Sequence, residues 1–175
     1  KGIGCFLYSK NKKKYLDFGS GIAVNSFGHC HPKLVRKLQI QASKLWHTSN
    51  LYLNSEQEEY AKLLCKSSFA EKVFFTNSGT EAIEAGIKVI RSYHNYHKNF
   101  NRTNIITFDG AFHGRTFAAL SAQQNKKYSS AFEPLLPGFV KIPFNDINVV
   151  EKNINEKTSA IMLEPIQGEG GINTA

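Results

Sequence analysis

The run Val73-Phe74-Phe75-Thr76-Asn77-Ser78-Gly79-Thr80-Glu81 decides the fold. Its first four residues read as a short buried strand, rich in the aromatic and β-branched side chains that suit a pleated surface. The next five turn the chain and open a helix. Ser78 and Glu81 stand at capping-box spacing, in which a hydroxyl and a carboxylate each take an amide that the first helical turn leaves unpaired. Ile83, Ile87 and Ile90 then recur at helical spacing, so a helix is expected over residues 80–96 with these isoleucines on one face. A strand that runs straight into a capped helix is half of a parallel α/β unit.

Downstream the same alternation repeats. Ile105-Ile106-Thr107-Phe108 reads as a strand, as do Val140-Lys141-Ile142 and Ala160-Ile161-Met162-Leu163, with a short helix over residues 146–155 before the last. Strands alternating with helices predict an α/β fold with a mainly parallel sheet flanked by helices. Upstream the pattern differs. Residues 3–18 alternate around Lys10-Asn11-Lys12-Lys13-Lys14 and read as a β-hairpin. Pro32 suits the start of a helix on which Leu34, Val35, Leu38, Ala42, Leu45 and Trp46 recur at helical spacing. Ser55 starts another, with Glu58 as its capping-box partner and Tyr60, Leu63 and Leu64 as its apolar stripe. The expected organisation is an N-terminal segment, residues 1–48, followed by part of a large α/β domain, residues 49–175. Residue 1 is Lys, and Gly170-Gly171-Ile172-Asn173-Thr174-Ala175 follows a strand-like run without a closing element, so a longer protein is expected.

Three loops carry chemistry. At Ser78-Gly79-Thr80 the first helical amides lack intrahelical partners, and with the positive end of the helix dipole they suit a phosphate. Gly110-Ala111-Phe112-His113-Gly114-Arg115-Thr116 follows the strand ending at Phe108, and ligands of open parallel sheets bind beyond the carboxyl ends of strands. Phe112 can stack on a flat ring there, and Arg115 can clamp a carboxylate through two bonds. Glu164-Pro165-Ile166-Gln167-Gly168-Glu169-Gly170-Gly171 places two carboxylates, Glu164 and Glu169, in a glycine-rich loop past another strand. Taken singly, each loop is equally compatible with a structural role: a capped helix, a turn, a solvated rim.

Composition narrows the function classes. The chain has 175 residues, 41% of them hydrophobic, enough for a real core. Its net charge of +8 comes from scattered lysines, without a basic stripe or interleaved aromatics, so nucleic-acid binding is not expected. Cys5, Cys30 and Cys65 form an odd, widely spaced set that suits a reducing compartment, and the cytoplasm is the expected location. Gly28-His29-Cys30-His31-Pro32 crowds possible ligands too closely for one ion, and a loop leading into the Pro32 helix is the simpler reading. His94 and His97 share a helix face near its C-terminus, where they complement the dipole.

Taken together, in order and at their spacing, these motifs resemble the class III (ω-amino) aminotransferases, and within them the acetylornithine branch. The likeness runs from Leu16-Asp17-Phe18 and Gly28-His29-Cys30-His31-Pro32, through Asn77-Ser78-Gly79-Thr80-Glu81 and Ala111-Phe112-His113-Gly114-Arg115-Thr116, to Pro143-Phe144-Asn145-Asp146 and Glu164-Pro165-Ile166-Gln167-Gly168-Glu169-Gly170. The resemblance implies a pyridoxal-5'-phosphate (PLP) transferase of fold type I, truncated before the rest of the large domain and a C-terminal small domain. It implies that Ser78, Gly79 and Thr80 hold the cofactor phosphate, that Phe112 stacks on the pyridine, and that Arg115 binds the substrate carboxylate. Glu169 matches a glutamate that switches between two substrates by pairing with a distant arginine. Ile22 stands where ornithine-specific members carry tyrosine, whereas Ile83 departs from the asparagine of many acetylornithine-type members. The implied reaction moves the terminal amino group of N2-acetylornithine to 2-oxoglutarate, in a homodimer; the alternatives are another class III aminotransferase, acting on ornithine, succinylornithine or 4-aminobutyrate, and a non-catalytic binding protein of the same fold. The Schiff-base lysine and the aspartate facing the pyridinium are implied to lie beyond Ala175, so no catalytic residue is assigned within these residues.

Overall fold

A computed structural model describes residues 1–123 and 125–175. They form two compact units, Lys1–Glu71 and Lys72–Ala175.

In the first unit, β1 (Gly2–Ile3), β2 (Phe6–Tyr8) and β3 (Lys14–Leu16) make an antiparallel sheet in that order, with Phe6 opposite Leu16 and Tyr8 opposite Lys14. The expected hairpin is β2 and β3; β1 is too short to show a period in sequence. The single turn α1 (Ser20–Ala23) is left-handed, with φ of 45°, 65°, 62° and 59° at Ser20, Gly21, Ile22 and Ala23. Asp17 ties its start: Oδ1 accepts the Ser20 N–H at 3.0 Å, and Oδ2 accepts His29 Nε2–H at 2.7 Å. The Asn25 amide donates to His29 Nδ1 at 2.9 Å, so both imidazole nitrogens are spent on the turn. The His29 hydrogen bond holds the Asp17 carboxyl below its usual range.

α2 (Pro32–Ala42) has Pro32 in its first turn, as expected, but stops short of Leu45 and Trp46. Side chains take the carbonyls that a longer ladder would use: Ser43 Oγ donates to Ile40 O, and Trp46 Nε1–H to Ala42 O. α3 (Ser55–Lys66) corrects another expectation. Its N-cap is Asn54, whose side chain accepts the Gln57 N–H at 3.0 Å, while Ser55 is the first helical residue and its hydroxyl donates to Glu56. No described residue of this unit is buried.

The second unit holds α4 (Gly79–Tyr96), β4 (Asn104–Phe108), α5 (Phe117–Gln123), α6 (Lys126–Ser129), β5 (Phe139–Ile142), α7 (Ile147–Asn153), β6 (Thr158–Ile161), β7 (Ile166–Gln167) and β8 (Asn173–Thr174). β4 lies between β5 and β6, parallel to both, and β7 pairs antiparallel with β8. Residues of β4 alternate between two covered faces. Ile106 and Phe108 pack with Ile142, Val150 and Phe144, under α7. Ile105 packs with Ile87, Ala118, Ile83 and Ile90, under α4 and α5. Ile105 and Ile106 are 1% and 0% exposed, and burying such a side chain contributes about 1.5–3 kcal/mol. The parallel sheet flanked by helices is therefore as expected.

Three details differ from the expectations for this unit. Residues 73–76 form no strand, and Phe74 is 81% exposed, so the strand expected there is absent. An apolar run becomes a strand only when a neighbour supplies its hydrogen bonds. β6 starts two residues early; its ladder ends after Met162 N–H donates to Ile106 O, ahead of Pro165, which has no N–H to give. α5 was not foreseen because residues 118–123 are buried on all sides, which leaves no amphipathic stripe to read. No described helix is long and apolar enough to cross a membrane.

Candidate active site

β4 and β6 run parallel, so the loops that follow them leave the same edge of the sheet. Those loops are the second and third chemistry-bearing motifs, and α4 brings the first. Gly114 has φ +125°, and a Cβ there would lie 2.1 Å from Thr80 Oγ1, so the Phe112–Arg115 loop is pressed against the first turn of α4. A Cβ on Gly170 would lie 2.5 Å from Gly110 O, so the third loop is pressed against the second. The buried Gln167 locks this contact by donating Nε2–H to Asp109 O at 2.7 Å. Asp109 in turn pairs with Lys141 at 3.2 Å.

The N-terminus of α4 is built by Ser78, whose hydroxyl accepts the Glu81 N–H at 3.2 Å. The Glu81 carboxylate accepts the amide of Asn77 at 2.7 Å, one residue earlier than in a reciprocal capping box. The first intrahelical bond runs from Ala82 N–H to Ser78 O, leaving the Gly79 and Thr80 amides ahead of it. Thr80 Oγ1 is buried and has no partner among the described residues, and a Cβ on Gly79 would meet nothing within 4 Å. Open space before two free amides, an orphan hydroxyl and the positive dipole end fit a phosphate.

Phe112 is 37% exposed, and its own amide is anchored by Glu164 Oε2 at 2.9 Å. Glu164 is thus occupied in shaping the loop. The Arg115 guanidinium carbon sits 5.7 Å from the Phe112 ring centre and 4.2 Å from that of Tyr128. Two aromatic faces hold the guanidinium, and among the described residues its donors have no partner, which suits a planar carboxylate. Sequence reasoning missed Tyr128, which sits on the short α6 outside any periodic pattern. Glu169 is exposed, and among the described residues it pairs with no cation. His113 is 5% exposed: its backbone N–H donates to Gln123 Oε1 at 3.0 Å, and its ring Nε2 is buried without a partner among the described residues. Burial pushes the imidazole below its usual value, with the Glu164 carboxylate pulling the other way.

The model of the family described as aminotransferase class-III matches residues 1–175. The chain belongs to the class-III aminotransferases. Acetylornithine aminotransferase 1 of Bradyrhizobium diazoefficiens is 51% identical over 175 residues, which are 100% of this chain and 43% of that protein. Among solved structures, the N-acetylornithine aminotransferase of Stenotrophomonas maltophilia K279a overlays with a TM-score of 0.82 at 37% identity, over 100% of this chain and 43% of that one. An ornithine aminotransferase of Toxoplasma gondii, crystallised with PLP partly occupying its active site, overlays with a TM-score of 0.93 at 30% identity, over 99% of this chain and 42% of that one. This class-III chain therefore spans less than half the length of the relatives it matches.

Proposed function

We propose that the full-length protein is a PLP-dependent aminotransferase that moves the terminal amino group of N2-acetylornithine to 2-oxoglutarate. The observation that carries this reading is the convergence of the α4 N-terminus, with its orphan Thr80 hydroxyl, on the loop presenting Phe112 and Arg115. PLP bound there supplies an electron sink for the bonds at the amino-bearing carbon. Ser78, Gly79 and Thr80 hold its phosphate, and Phe112 offers a face to its ring. Arg115 takes the α-carboxylate of the donor as a planar two-pronged clamp. The Glu169 carboxylate, unpaired at the rim, discriminates between the two substrates by its negative charge. The 51% identity to an acetylornithine aminotransferase over the whole chain favours an acetylated donor, and so does the apolar Ile22.

The product would be an acetylated semialdehyde, which places the reaction in arginine biosynthesis, in the cytoplasm and in a homodimer. The test is a donor screen with purified full-length protein, PLP and 2-oxoglutarate, following glutamate. N2-acetylornithine is expected to be the preferred donor, and Arg115→Ala to raise its KM about tenfold or more while PLP stays bound. Preference for unacetylated ornithine would overturn the donor assignment. Unchanged donor kinetics in Arg115→Ala would remove Arg115 from the site.

A further inference from the structure

The parallel sheet has a second edge. β4 begins at Asn104 and β5 at Phe139, so their first residues lie together, about 16 Å along β4 from the candidate active site. A cleft of about 420 Å³ opens here, between the last turns of α4, the turn into β4 and the residues before β5. We propose that this cleft binds a small oxyanion, such as hydrogen phosphate or a carboxylate.

The charge of the lining argues for an anion. Arg91 and Arg102 line the cleft and no carboxylate does. Arg102 Nη1–H donates to Thr158 O at 2.7 Å and Arg91 Nη2–H to Pro137 O at 3.4 Å. Among the described residues neither guanidinium makes an ion pair, so most of each five-donor fork is free for planar oxyanion recognition. The C-terminal end of α4 would oppose an anion if its carbonyls were bare. Three of them are taken: Tyr93 O accepts the His97 N–H at 3.1 Å, His94 O the Asn99 N–H at 2.8 Å and Asn95 O the Lys98 N–H at 3.0 Å. Asn95 and Asn99 add neutral side-chain amides to the lining.

His94 also lines the cleft; its Nε2–H donates to Ser159 O at 2.9 Å, and its Nδ1 is buried without a partner among the described residues.

The experiment is calorimetric titration of PLP-saturated full-length protein, so that the phosphate cradle at α4 is already filled. Inorganic phosphate and citrate are the probes. One site per chain is expected for phosphate or for citrate, and the probe that binds tells a phosphate ligand from a carboxylate one. Affinity should fall about tenfold or more in Arg91→Gln, which loses only a long bond to Pro137 O, and further in Arg91→Gln/Arg102→Gln. Arg115→Ala should bind as wild type does, and transaminase activity of Arg91→Gln should be unchanged, reporting an intact fold. Unaltered affinity in Arg91→Gln, loss of binding in Arg115→Ala, or no heat from either probe in the millimolar range would each overturn the proposal.

Discussion

Gly79 and Thr80 are the residues at which the cofactor assignment is most exposed to experiment. A Cβ on Gly79 points into open space, so Gly79→Val leaves the folded chain undisturbed and obstructs only what approaches the amides from outside. In the full-length protein this variant should bind PLP at least tenfold more weakly than Thr80→Ser, which keeps both amide and hydroxyl. Equal affinities in a titration of apo-protein would move the phosphate elsewhere. His113 makes a different prediction, about stability. Burial lowers its folded pKa below the ordinary 6.5, so the unfolded chain takes up the proton first as pH falls. The stability contributed by the neutral ring is therefore fully present above 6.5 and is lost as pH falls through the lower folded value. Urea midpoints of the full-length protein should drop on acidification through this range, with a shallower drop in His113→Asn. Parallel pH profiles for the two proteins would show that His113 is not the group responsible.

At the scale of elements, the caps show how local chemistry places helix ends to within a residue. Both Asn54 and Ser55 are good cap residues by type, and the pair Ser55 and Glu58 has box spacing. The backbone decides between them: Asn54 is extended, with φ −125° and ψ 109°, and its side chain reaches the Gln57 amide. Asn54→Ala should accordingly destabilise the full-length protein by about 1 kcal/mol in urea unfolding, and Ser55→Ala by much less. The reverse ranking would restore the box. The same local competition ends α2 before Leu45, where hydroxyl and indole donors take carbonyls from the ladder.

Across the whole molecule, burial is uneven. The fully buried apolar side chains all belong to the unit Lys72–Ala175, around β4 and its neighbours. In the unit Lys1–Glu71, by contrast, Phe18, Trp46, Leu53 and Phe69 are exposed, and Phe74 is exposed in the second unit. Apolar surface of that extent is normally covered by other chain. The 175-residue polypeptide expressed alone should bind a hydrophobic dye strongly and self-associate in light scattering. A monodisperse monomer with a sharp cooperative thermal transition would contradict this.

What could be read in the sequence was whatever depends on near neighbours along the chain. The α4 stripe of Ile83, Ile87 and Ile90, the alternation of strands β4, β5 and β6 with helices, Pro32 at a helix start and Ser78 at another are of that kind. Their causes, period and capping geometry, act within a few residues. The site was legible as three loops but not as one place. Only tertiary packing pressed Gly114 onto Thr80 and Gly170 onto Gly110, gave Glu164 to the Phe112 amide, and set Tyr128 under Arg115. Long-range structure also decided that residues 73–76 form no strand here, and that α5 is buried all round. Such contacts join residues tens of positions apart, and no local pattern encodes which of the compatible surfaces will meet.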